Sequence, residues 1–150
     1  MANFAFTHFK EKLGNAEIDF AAPDNFEILL LTVITDAEAG RDDEFVGTFL
    51  GRTITELGVG GYSRHSLTGD TLTRDDANNR AEIDWTDPVF ASLASGATIV
   101  GFVIFKVVTN DADSPLIAFF DTDSAGAISI ATNGSDVTIQ INAQGLLQIT

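Results

Sequence analysis

Strand-type patterns dominate the chain. FEILLLTVIT at 26–35 is a continuous apolar run, short for a helix and β-branched toward its end, which predicts a buried central strand. ATIVGFVIFKVV at 97–108 reads likewise, with Val100, Phe102 and Ile104 on one face and Ile99, Val103 and Phe105 on the other. A strand apolar on both faces belongs between two layers. RAEIDW (80–85) alternates instead, setting Ala81, Ile83 and Trp85 against Arg80, Glu82 and Asp84, and DVTIQI (136–141) turns Val137, Ile139 and Ile141 to one side. Such alternation predicts half-exposed surface strands. SLTGDTLTRD (66–75), SPLIAFFD (114–121) and AISIAT (127–132) complete the set, with NDADSP, DTDSAG, TNGSD and NAQG as turns. Short strands at this spacing predict a mainly β protein: an antiparallel β-sandwich or jelly-roll-like single domain over residues 1–150, with at most one or two short helices.

Helical signals are few. DDEFVGTFLGRTITELG (42–58) has Phe45, Phe49 and Leu50 at helical spacing behind an acidic start, but glycines interrupt it, so it fits one short helix or an ordered loop. Asp87 followed by Pro88 in DPVFASLASG (87–96) predicts a single helical turn, an N-cap ahead of an N1 proline.

Both chain ends carry strand patterns. NFAFTHF puts Phe4, Phe6 and His8 on one face of a first strand, which fits either an arm over residues 1–12 reaching a partner or an edge strand of the chain's own sheet. The closing stretch predicts a hairpin of strands 136–141 and 145–149, with Leu147 and Ile149 meeting the Val137, Ile139, Ile141 row and Gly145 supplying a positive φ. Two strands that short are unstable alone, so docking on the same sheet or on a neighbouring subunit is expected. The interface candidates are Phe4, Phe6, His8, Phe9, Leu147 and Ile149.

Composition narrows the function classes. Hydrophobic residues at 45%, 12 phenylalanines and only 20% charged residues place the chain in the globular class. There is no cysteine, hence no disulfide and no thiolate chemistry. The N-terminus lacks a secretory pattern, and the longest apolar run contains Lys106 and falls short of the ~20 residues of a spanning helix. A protein made soluble in a cytoplasm, without a membrane partner, is therefore expected. The net charge of -14, from 22 acidic and 8 basic residues, repels a phosphate backbone and argues against direct nucleic-acid contact. After Lys106 no Lys or Arg occurs, while Asp111, Asp113, Asp121, Asp123 and Asp136 remain.

Candidate chemistry is thin, and no catalytic residue is predicted. His65 in GGYSRHS has Ser63, Arg64 and Ser66 nearby, but strand neighbours point to opposite faces and no nucleophile elbow accompanies it. Most carboxylates fall in turns or on polar faces; Asp84 beside Trp85, with Asp87, is the sole suggestion of a glycosidase pair. DTDSAG opens like a calcium loop with Asp121 and Asp123, yet Thr132 stands where the closing acid belongs, so Asx-type turns are the simpler reading and no cofactor is expected. GVGGYS lacks the Lys-Ser or Lys-Thr of a phosphate loop and reads as a turn.

MANFAF, GYSRHSLTGDTLTRDDANNRAEIDWTDPVFASL, SPLIAFFD and TNGSDVTIQINAQGLLQI together resemble small β-rich virion structural proteins of tailed bacteriophages, of the capsid cement or decoration type. The resemblance implies a β-sandwich or jelly-roll-like fold, a place on the capsid exterior bound to the major capsid protein, frequent assembly as trimers, and neither enzymatic activity nor a cofactor. Residues 36–58 carry none of it. The alternative is a head-fibre or adhesion module that binds host-surface carbohydrate, with Trp85 or Tyr62 stacking on a sugar.

Overall fold

The computed structural model describes residues 3–20, 24–142 and 145–149. The chain opens with β1 (Phe4–Ala5), α1 (Thr7–Gly14), β2 (Phe26–Ile34), α2 (Val46–Leu50), β3 (Ile54–Glu56) and β4 (His65–Leu67). A hairpin of β5 (Thr71–Asp75) and β6 (Arg80–Asp84) follows, then β7 (Val89–Phe90), β8 (Thr98–Ile99), β9 (Gly101–Lys106) and β10 (Leu116–Phe120). The last third holds β11 (Thr122–Asp123), β12 (Gly126–Ala127), β13 (Ile130–Ala131), β14 (Val137–Thr138) and β15 (Leu147–Ile149). At 39% strand and 9% helix among the described residues, in several antiparallel sheets, the protein is mainly β as predicted.

The two runs predicted to be buried form the centre. β2 and β9 pair over six positions, from Phe26↔Lys106 to Leu31↔Gly101, inside a six-stranded sheet of order β1-β10-β9-β2-β3 in which β4 also pairs with β2. The pairs Ile28↔Ile104 and Leu30↔Phe102 fill one face and Leu29↔Val103 the other. All six side chains are at most 6% exposed. One face is covered from the N-terminus and α2: Phe4 stacks on Phe119 at 5.0 Å, and Phe6 meets Phe49 edge-on at 5.3 Å. On the other, Phe26 stacks on Phe20 at 5.0 Å and meets Trp85 at 5.7 Å. Trp85 follows β6, so the second sheet, of order β15-β6-β5, joins the same core. Ile83 is fully buried and Arg80 faces outward, bonding Asp75, Glu82 and Gln148 across that sheet. This is the alternation predicted for RAEIDW.

Three local expectations are corrected. Residues 87–90 form no helical turn: Asp87 Oδ1 accepts a hydrogen bond from the Ile141 amide at 2.8 Å, Pro88 accepts one from Ile139 at 3.1 Å, and β7 pairs with β14. An N-cap side chain can serve any bare amide, and here the segment after β14 supplied it. The terminal hairpin is also replaced, because β14 pairs with β7 whereas β15 pairs with β6, through Leu147↔Ile83. Its turn lies partly outside the described residues, at 143–144, but Gly145 has the predicted positive φ, 80°, and its amide bonds the Asn142 carbonyl at 2.8 Å. Finally, the first strand stops at Ala5, and His8 lies on α1. Residues 42–58 hold a helix of five residues followed by β3.

Gly101 marks the closest approach inside the central sheet. A Cβ there would lie 2.7 Å from the Phe120 carbonyl oxygen, a backbone atom that cannot swing aside. Gly101→Ala is expected to force β9 and β10 apart and cost about 1–3 kcal/mol, seen as a lower urea midpoint at unchanged slope.

Candidate functional site: strand edges and a clasped arginine

A strand buried on both faces must satisfy its backbone groups through its edges. β9 occupies one edge of β2, while β4 covers Phe26–Ile28 and β3 covers Leu31–Ile34 on the other. Leu30 falls in the gap between β4 and β3. Its carbonyl accepts from the Leu57 amide at 2.8 Å, and its N–H donates to the Tyr62 hydroxyl at 3.1 Å. That hydroxyl in turn donates to Glu56 Oε1 at 2.7 Å. Arg64 donates to the same carboxylate through Nε and Nη2, at 2.9 and 2.8 Å, and through Nη2 to Asp111 Oδ2 at 2.8 Å. Its guanidinium also lies 5.3 Å from the Phe105 ring centre.

The electrostatics follow from this geometry. Burial pushes the Tyr62 hydroxyl well above its ordinary value, so it remains a donor. Its hydrogen bonds to Asp111 and Glu56 raise the already basic Arg64 further. Arg64 holds the Asp111 carboxyl below its ordinary value of 3.8. This polar cluster escaped the sequence reading, because Arg64 lies eight residues from Glu56 and 47 from Asp111. Its sequence signal is slight: a single arginine in a segment of strand and turn. Asp43, only 7% exposed, is held in the same manner by Arg52 at 2.6 and 2.7 Å.

The residues proposed for chemistry are engaged in the fold. Asp84 Oδ1 accepts from the Trp85 amide, and Asp87 caps Ile141. The His65 ring lies 5.6 Å from Phe90, at a tilt, on a strand paired with β2. Trp85 is 3% exposed, and Tyr62 stacks on Phe90 at 6.0 Å, so neither ring offers a platform for a sugar. Asp123 Oδ1 accepts from Ala125 and Gly126, closing the β11–β12 hairpin as an Asx turn. Asp121 is buried at the end of β10, its amide held by Asn3 Oδ1 at 2.9 Å. Among the described residues no three His, Asp or Glu side chains gather as a metal site, and no helix is long and apolar enough to cross a membrane.

The interface candidates divide. Phe4, Phe6 and Phe9 belong to the core, at 8%, 0% and 3% exposure, so the arm is corrected to a core-forming segment. The Phe6, Phe9, Leu13 spacing is helical from Phe6 onward, which explains the switch from strand to α1. His8 is half-buried beside Glu11, Leu147 packs on Ile83, and Ile149 is half-buried. A groove of about 580 Å³ lies between the stacked rings of Phe102 and Phe120 and the side chains of Ile139, Ile141 and Leu146. Its lining also includes Asn3 and Asp123, a mixture usual in protein contact surfaces. Comparison with protein-family models, curated proteins and solved structures found no match.

Two expectations test these assignments. Phe6→Ala removes a fully buried ring from the contact with Phe4 and Phe49 and should cost about 3–5 kcal/mol in chemical denaturation; a change within 0.5 kcal/mol would return the segment to an arm. Because the folded Asp111 pKa is depressed, the Arg64 contact contributes fully above pH 3.8 and is lost as the pH falls through the lower folded value. Asp111→Asn should therefore lower stability at neutral pH by at most about 1 kcal/mol, given the exposure of that carboxylate. The difference from the unmodified protein should shrink as the pH falls below 3.8 and through the lower folded value, measured by urea midpoints at neutral and acidic pH.

Proposed function

We propose that this is a non-enzymatic structural protein of a tailed-phage virion, which binds the major capsid protein on the outside of the head and stabilises the shell. The observation that carries this reading is the commitment of its reactive side chains to architecture. Arg64, Arg52 and Arg80 are each clasped by carboxylates, and Asp84, Asp87 and His65 are used in strand pairing or packing. What the surface offers instead is shape, open strand edges and negative charge, the means of a binding protein. The resemblance of MANFAF, GYSRHSLTGDTLTRDDANNRAEIDW and TNGSDVTIQI to capsid decoration proteins supplies the partner.

A role as cement needs buried contact area between capsomers, and at least ~1,000 Å² per specific contact. The net charge of -14 favours a binding surface on the lattice that is locally basic. The carbohydrate-binding alternative loses its support with Trp85 buried and Tyr62 bonded to Glu56.

Imaging of purified particles by cryo-microscopy tests the proposal. The protein should occupy repeated positions on the outer face of the head, and heads lacking it should release DNA at a lower temperature or on chelator treatment. Particles without it, or heads of unchanged stability after its deletion, would overturn the proposal.

A further inference from the structure

The outer edge of β5 is the longest strand edge left open among the described residues. β5 has five residues in continuous register with β6, whereas every other strand with a single neighbour has three or fewer. None of the backbone groups of Thr71–Asp75 bonds beyond β6 among the described residues. Natural edges are usually blunted by lysine, proline or a bulge. TLTRD has none of these; its charges are Arg74 and Asp75, and its threonines favour pairing.

An apolar row runs across this sheet toward that edge. Leu147, Ile83 and Leu72 stand side by side on β15, β6 and β5, at 9%, 0% and 51% exposure. The row ends at Leu72 with half its side chain in water. Asp70 and Arg74 lie two positions on either side of Leu72, and both are exposed. By strand alternation Arg74 shares the face of Leu72, and Asp70, one residue before β5, continues that two-residue spacing. Among the described residues Arg74 is ion-paired with Asp76 alone, at 2.8 Å, with both side chains more than 70% exposed.

We infer that β5 pairs antiparallel with β5 of a second copy of this chain, about a two-fold axis at Leu72. In that register Leu72 faces Leu72 of the second copy, and Asp70 faces Arg74 of the second copy at both ends. Thr71 faces Thr73 on the opposite side of the sheet. The Leu–Leu, Asp–Arg and Thr–Thr pairs so formed are ones that stabilise antiparallel strands, and the two three-stranded sheets become one of six. A one-residue slip would set Leu72 against Thr73 and separate the charges, so the sequence selects its own register. The edge is isologous, as two-fold association requires, and this inference does not depend on capsid binding. It yields a dimer, where the resemblance implies a trimer.

Mass in solution, by sedimentation over a range of concentrations, tests it. The ionic strength should be near 0.15 M, where the Debye length of about 8 Å screens repulsion between two chains of charge -14. The unmodified protein should dimerise. Asp70→Arg and Arg74→Asp, each alone, should weaken the dimer at least about tenfold by opposing like charges, and the two together should restore it. Both positions are exposed, so circular dichroism should confirm the fold in every variant. A strict monomer, a trimer, or a dimer indifferent to these exchanges would overturn the inference.

Discussion

The pairing of β2 with β9 is the constraint on which the rest of the molecule depends. Both strands are buried on both faces, so neither can leave an amide or carbonyl unpaired without a cost of about 1–3 kcal/mol per group. β9 is served on its far side by β10, over Leu116–Phe120. The far side of β2 is harder, because β3 and β4 each cover only part of it. The Tyr62 hydroxyl closes the gap at the Leu30 amide, and it can do so because Glu56 accepts its hydrogen bond and Arg64 offsets the charge of Glu56. A hydrogen bond in the central sheet is thus anchored, through three side chains, to Asp111 in the turn before β10.

That chain of dependence bears on what the protein can do. A cluster of tyrosine, arginine and two carboxylates in one place is a common sign of catalysis. Here each group already has a partner whose removal would expose another, so the cluster explains itself structurally. The raised pKa of Tyr62 follows from its burial and the lowered pKa of Asp111 from the Arg64 guanidinium. The buried Asp43 is partnered likewise, by Arg52.

Much of the fold was legible in the sequence, and the reasons for the failures are physical. Continuous apolar runs identified β2 and β9, and alternation placed Ile83 and Trp85 inward, because burial acts directly on each side chain. Pairing partners were not legible. DVTIQI and LLQI are each good strands, and adjacency suggested a hairpin, yet each found a longer-range partner: β7, with Val137 opposite Phe90, for one and β6, with Leu147 opposite Ile83, for the other. The N-terminus failed through mixed periodicity, since Phe4 and Phe6 alternate as a strand while Phe6, Phe9 and Leu13 repeat as a helix. Among the site residues, Asp123 was correctly placed in an Asx turn, whereas Arg64 gave no signal because its partners come from distant segments.

The closing stretch of the chain connects these points. Leu147 lies 9% exposed against Ile83, and Gly145 is tied to that contact by sterics, since a Cβ on it would lie 2.8 Å from the Ile83 carbonyl oxygen. β15 is therefore a built part of the second sheet, held in place by a turn that only glycine fits closely. Arg80 crosses the outer face of the same sheet, from Asp75 on β5 to Gln148 on β15. β6 is thereby braced on both sides, with Ile83 and Arg80 contacting both neighbours. A sheet fixed so firmly at β15 and β6 presents β5 as a preformed template rather than a loose ribbon, and preformed edges lose little conformational entropy on pairing.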